Sequence, residues 1–201
     1  MTLKNLLAVG LLTLCATACA SGDASQAGRP GDDMTEDEIM AAMMELGQPG
    51  EAHAAFQESV GSWNTTMNIY TVPDAPPMTM TGTSELETIM GGRFLVEHYS
   101  SDFMGMPFEG MMTQGYDNLT ERYFILWIDN MTTGYSLSHG ERDEHGVIVA
   151  EGMMRDVRTP DGRPYKMVLT SKGKDAMFME MFDYDESGMA FKTMDITYER
   201  K

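Results

Sequence analysis

Methionines recur two residues apart at Met78/Met80, Met104/Met106 and Met177/Met179/Met181, a spacing that on a β-strand puts each set on one face. Thioethers grouped in this way would select soft Cu(I). Past residue 18, however, 21 methionines stand against 7 leucines, and Met111-Met112 and Met153-Met154 are adjacent pairs with no common ligand geometry. Methionine therefore reads as core filler and pocket lining, and no metal is expected. Of the four histidines, His53 falls on a helical pattern and His145 in a turn, so no zinc-ligand spacing emerges. His98 lies in the strand pattern Phe94 to Tyr99, where it shares alternation with Phe94 and Val96 and would point inward with them. There is no Gly-x-Ser-x-Gly elbow, no phosphate loop and no nucleophilic cysteine. Paired acids such as Glu97 and Asp129 suit glycosidase work, but acids are too common here for the pairing to be specific.

These residues have to be positioned by one domain. The 201 residues carry 14 Lys+Arg against 31 Asp+Glu, net −17, a field that repels phosphate backbones and makes nucleic acid a poor partner. Hydrophobic residues at 42% and charged residues at 22% are ordinary for a globular chain, which argues against disorder throughout.

The first residues read as a targeting segment. Lys4 precedes the apolar run Leu6 to Leu12 and a short stretch of small residues, a secretory signal too short to span a bilayer. Ala16-Thr17-Ala18-Cys19 resembles the bacterial lipobox, with Ala16 where that motif prefers Leu. The resemblance implies that Cys19 is acylated and becomes the first residue of the mature protein. Ala20 in place of Asp resembles the sorting signal for the outer membrane. A signal over 1–18, a flexible tether over 19–33, a helical segment over 34–61 and a domain over 62–201 are therefore expected. The protein would be held in the cell envelope by its lipid, facing the periplasm if the host has two membranes. Removing 1–18 leaves one cysteine, so no disulfide can form within the domain.

Thr35-Glu36-Asp37-Glu38 reads as a capping box, followed by Ile39, Met43 and Leu46 at helical spacing and by Gly47 as a stop. A second short helix is expected from about Gly50 to Val60, and both helices read as lids or end caps. From Trp63 the period changes to segments of eight to eleven residues between turn signals such as Asp143-Glu144-His145-Gly146 and Asp185-Glu186-Ser187-Gly188. Strands are expected near 62–72, 78–88, 93–103, 107–117, 122–130, 132–140, 147–157, 164–172, 175–184 and 190–199. With no helical pattern between them, they predict an all-β, antiparallel barrel of about ten strands, closed so that no edge is left to pair with neighbours.

Several motifs in order, Gly82-Thr83-Ser84-Glu85, Ile89 to Leu95, Gly105 to Gly110, Gly115-Tyr116-Asp117-Asn118 and Trp127-Ile128-Asp129, resemble bacterial domain of unknown function family 1579. The entry His53 to Trp63 and the exit Ile196 to Arg200 resemble it too. The likeness covers about residues 50–200 and implies a secreted or lipid-anchored calycin-like barrel, related in architecture to lipocalins and to nitrobindin-type haem barrels. It carries no established activity. Nitrobindin-like barrels place their haem histidine late, whereas Phe191 to Arg200 has none, so no cofactor is expected.

Within those motifs Arg93, Tyr116, Asp117, Trp127 and Asp129 are the polar and aromatic members, and with His98 they form the tentative ligand-binding set. Arg93 could pair with Asp117 or Asp129 at the barrel mouth, while Asp117 could equally fold its own turn. The leading reading is a tethered barrel binding a small hydrophobic ligand. Two others stand beside it: a filled barrel serving as an envelope scaffold, and a hydrolase or isomerase using the Arg93/Asp117/Asp129 region.

Overall fold

The computed structural model describes residues 33–71 and 76–201. The expected signal peptide, Cys19, the tether through residue 32, and residues 72–75 of the turn at Pro73 to Pro77 lie outside the described residues. Two short helices, α1 (Glu36–Leu46) and α2 (Glu51–Ala54, continued by a 3-10 turn Ala55–Glu58), precede ten strands. These are β1 (Gly61–Ile69), β2 (Met78–Ile89), β3 (Phe94–Phe103), β4 (Met106–Asp117), β5 (Arg122–Asp129), β6 (Ser136–Arg142), β7 (Ile148–Met154), β8 (Arg163–Ser171), β9 (Ala176–Tyr184) and β10 (Ala190–Arg200). Each pairs antiparallel with its neighbours in sequence, and β1 pairs with β10 in the register Trp63↔Arg200, so the sheet closes into a barrel. Closure satisfies both edges of every strand and leaves none open to another chain.

Local chemistry accounts for the joints. The Thr35 amide and hydroxyl both donate to Glu38 Oε2 at 2.8 Å, and the Glu38 amide donates back to Thr35 Oγ1 at 3.3 Å, which is the capping box at the start of α1. Met104 and Gly105 both have positive φ (55° and 85°) and join β3 to β4 as the two-residue turn that matches strand twist. Asp143 Oδ1 accepts the amides of His145 and Val147, and Asp185 Oδ1 accepts those of Ser187 and Met189, so each Asp folds the turn that its own motif announced.

The same device shortens two strands relative to expectation. Asp129 Oδ1 accepts the amides of Met131 and Thr132, which turns the chain and delays β6 to Ser136 instead of 132. Asp156 Oδ1 accepts the amides of Arg158 and Thr159 and pulls the chain out of the sheet after Met154 instead of 157. These backbone bonds hold the Asp156 carboxyl down at about 2.

Two expectations about methionine are corrected. Met104 and Met106 do not share a strand face: Met104 is the first residue of the β3–β4 turn and 78% exposed, and Met106 is the first residue of β4. On α1 the methionine stripe is not packing surface, since Met43 and Met44 are 64% and 65% exposed. The chain just past α1 is instead held by polar bonds: Asn118 Nδ2 donates to the carbonyls of Leu46 and Gln48, and Arg93 donates to Gly47 O.

Most of the buried side chains face the barrel interior with period two, as in β1, where Trp63, Thr65 and Met67 are buried. One end of the barrel is covered by α2 and its 3-10 continuation. His53 Nδ1 accepts the Gly50 amide, so its proton sits on Nε2 and is donated to Tyr116 O at 3.0 Å. That bond fixes the helix over Tyr116 and Tyr123, against which His53 and Phe56 stack edge to face.

Candidate ligand-binding cavity

The closed barrel encloses a cavity of about 1090 Å³ that opens toward the end formed by the β5–β6 and β7–β8 loops. Its floor includes Ala52 and Phe56 from the helical cap, and its rim includes Tyr135 and Val157, which are 67% and 100% exposed. A volume at or above the upper end of the roughly 300–1,000 Å³ range for small-molecule sites argues against the filled-barrel alternative.

The wall has two characters. Met167 on β8, Met177, Met179 and Met181 on β9, and Met194 on β10 make one side apolar, because alternation turns each of them inward. In a ring of ten strands the strand five places away is opposite, so β3 faces β8 and β4 faces β9. From β3 come Leu95, Glu97 and Tyr99, and from β4 Met112 and Gln114.

Glu97 is 2% exposed and takes a hydrogen bond from the Ser84 hydroxyl, with the Tyr198 hydroxyl beside it. Burial raises its carboxyl above the usual range for a glutamate, and the hydrogen bonds from Ser84 and Tyr198 only partly oppose this. Burial likewise raises Tyr198 well above the ordinary phenol range, and the neighbouring Glu97 carboxyl adds to that shift. Tyr99 is 2% exposed, packs edge to face on Phe108 and Trp127, and its hydroxyl has no partner among the described residues.

Near the mouth Arg163 pairs with Asp183 and, at 3.3 Å, with Asp156. Burial raises the Asp183 carboxyl against the pull of Arg163. Trp127 Nε1 donates to Asp129 Oδ2 at 3.0 Å, holding the indole across the wall. Gly110 makes room for it, since a Cβ there would come within 2.2 Å of Trp127 Cζ2. That contact links two of the sequence motifs, Gly105 to Gly110 and Trp127 to Asp129.

The residues singled out from sequence fall in three places. Trp127 and Asp129 line the cavity. Arg93 stands in the β2–β3 turn and donates to Gly47 O and Met90 O, meeting neither Asp117 nor Asp129. Asp117 folds its turn, accepting the Leu119 amide and the Thr120 hydroxyl at 2.9 Å, and these bonds lower its carboxyl. Asp117 pairs with Arg122 at one end of β5 while Asp129 ends the strand, a separation of roughly 23 Å along it. The Arg93/Asp117/Asp129 cluster therefore does not exist as a single site, and the hydrolase or isomerase built on it is withdrawn. Tyr116 supports the helical cap through His53 and Tyr123.

His98 is on the outer face, its side chain 58% exposed and 3.9 Å from Glu87. The expected phase of β3 is thereby reversed: Leu95, Glu97 and Tyr99 turn inward, and Phe94, Val96 and His98 outward. Among the described residues no three His, Cys, Asp or Glu side chains gather as a metal site.

A family model described as "Protein of unknown function (DUF1579)" matches residues 48–200. No curated protein matches the chain. Among solved structures, the crystal structure of Rv2717c from M. tuberculosis is similar at 13% identity and a TM-score of 0.54, over 77% of this chain and 99% of that one. A de novo designed fluorescence-activating β-barrel aligns at 12% identity and a TM-score of 0.41, over 73% of this chain and 97% of its own. The first likeness is one of fold alone.

Proposed function

The chain belongs to the DUF1579 family of proteins of unknown function, and from that premise we propose that it is a binding protein whose barrel holds one small apolar or amphipathic molecule. The observation that carries this reading is the cavity of about 1090 Å³ walled by methionine and aromatic side chains inside a closed sheet. Methionine suits such a wall because its unbranched thioether repacks around different shapes with little strain. Trp127 and Asp129 stand at the wall as a ready aromatic face with a hydrogen-bonded acid. Native mass spectrometry of protein purified from its own host tests the reading: a mass above that of the folded chain, lost on denaturation and belonging to an apolar compound, is the expected result. A folded protein that is consistently empty, or that carries only a polar metabolite, contradicts it.

Anchoring belongs to the same reading. Acylation at Cys19 would hold the barrel at the envelope membrane through its acyl chains, with about 0.8 kcal/mol gained per buried methylene. The wild type is expected in the detergent phase of a phase-separation assay with lipid on its N-terminus by mass. Cys19→Ser is expected in the aqueous phase, and lipid remaining on that variant would contradict the assignment.

A further inference from the structure

Gln114 on β4 is 5% exposed and lines the cavity, yet its carboxamide makes no hydrogen bond among the described residues. Nor is that amide one of the buried polar atoms sealed away from water, so it faces the open cavity and not the packed wall. The wall offers it little: Leu95 on β3 and Ile125 on β5 stand directly opposite, and Met112 precedes it on the same inner face. A ligand that filled the cavity with hydrocarbon alone would strip water from this amide and bind weaker on the order of tenfold for it. A ligand with a hydrogen-bonding end at that point avoids the loss, and a site of this kind rejects the analogue that lacks the group. We propose, resting on the binding reading above, that Gln114 is the polar anchor of the cavity. The ligand is an uncharged amphiphile whose hydrogen-bonding end pairs with the Gln114 carboxamide, its apolar body running toward the mouth.

The depth of Gln114 sets the direction of the ligand. Tyr116, two residues further along β4, lies under the helical cap against His53. Asp129, where the β5–β6 loop of the mouth begins, pairs with Gly110, four residues the other way and roughly 14 Å off along the strand. Across the ring stand the methionines of β9, an apolar bed for the rest of the molecule. The carboxamide presents an N–H donor and a carbonyl acceptor side by side and carries no charge. A carboxamide on the ligand meets both at once with two parallel bonds, and a hydroxyl meets either one. An ion at this depth would give up its water among Leu95, Ile125 and Met112. Glu97 stands diagonally across on β3 and takes the Ser84 hydroxyl, so a cation drawn to its carboxyl is the competing chemistry.

Octanamide and its apolar isostere 2-methylnonane, each displacing N-phenyl-1-naphthylamine from the full chain at neutral pH, test this on the wild type and on Gln114→Leu. The ratio of octanamide to 2-methylnonane affinity is expected to fall about tenfold or more in the variant, the return on at least one well-made hydrogen bond. Comparing ratios between the two chains removes the greater hydrophobicity of the hydrocarbon. Gln114→Met, unbranched like glutamine, should lose the ratio to the same extent. Both variants should melt no more than about 3 °C below the wild type, because the amide has no bond within the fold to lose. Gln114 is one of four glutamines, so its side-chain amide resonance is assignable by its loss in the variant and should move further with octanamide than with 2-methylnonane. Octanoate and octylammonium are expected to bind at least about tenfold more weakly than octanamide. An affinity ratio unchanged in both variants, both variants melting well below the wild type, or either ion binding as tightly as octanamide overturns the inference, and saturable dye binding then leaves the binding reading standing. If neither the dye nor any of these compounds binds the folded protein, the binding reading falls and this inference falls with it.

Discussion

Trp63→Ala is expected to lower the stability of the protein by about 3–5 kcal/mol, the cost of emptying a fully buried aromatic site. Trp63 is 0% exposed and stands where the barrel closes, paired with Arg200 on β10 and with Ser84 on β2. Its indole N–H donates to Ser59 O at 3.0 Å, and the Arg200 guanidinium lies 4.1 Å from the ring centre. Arg200 in turn donates to the carbonyls of Val60, Glu58 and Lys174, tying the last strand to the helical cap and to the β8–β9 turn. Gly61, at φ 135°, lets that guanidinium approach, since a Cβ there would come within 2.5 Å of Arg200 Nη1. Removal of the indole thus leaves a void beneath a cation and loosens the β1–β10 seam together with the cap. Urea denaturation gives the number, and Trp63→Phe, which keeps a ring, should lose roughly half as much. A loss below about 1 kcal/mol for the alanine variant would show that closure does not depend on this residue.

The second large effect follows from Glu97 and depends on pH. Its folded-state pKa is raised by burial, so the folded protein binds this proton more tightly than the unfolded chain does. The contribution of the protonated acid is fully present below the unfolded pKa of about 4.5 and is lost as pH rises through the folded one. Glu97→Gln keeps an acceptor for Ser84 and cannot ionise. The two proteins should therefore melt within about 3 °C of each other at pH 4, roughly 1 kcal/mol for a chain of this size. By pH 9 the variant should be the more stable by roughly 2 kcal/mol, or about 6 °C. Taking the difference between the two chains removes the background from the surface acids, whose lowered values act in the opposite direction at lower pH. A difference that is flat from pH 4 to 9 would mean that Glu97 is ionised and solvated in the folded protein.

The barrel was legible in the sequence because its turns are local chemistry. Asp143 and Asp185 fold their own turns through bonds two and four residues ahead, so the motif and the structure are the same object. The ends of β6 and β7 were less legible because Asp129 and Asp156 use the same bonds without a glycine to announce them. The inner face of β3 was not legible by alternation. Phe94, Val96 and His98 on one phase and Leu95, Glu97 and Tyr99 on the other carry equal apolar weight, and Val96 is buried on the outer side. Pairing decides it: Glu97 meets Leu86 on β2 and Met112 on β4, both of which line the cavity. Cross-strand register is non-local, and so Glu97 stood out in the sequence only as one acid among 31. Arg93 stood out as a polar member of the family-like motifs with acids to pair with, whereas its bonds hold the chain at Gly47 over the β2–β3 turn.

The claim that the barrel interior is a binding site is tested most directly by titrating the folded protein with N-phenyl-1-naphthylamine, an uncharged apolar dye that fluoresces when removed from water. The cavity of about 1090 Å³ predicts saturable binding of one dye per chain, with enhanced blue-shifted emission that an uncharged amphiphile displaces competitively. Emission that stays at the level of free dye, or that rises without saturation while the protein remains folded, would contradict it.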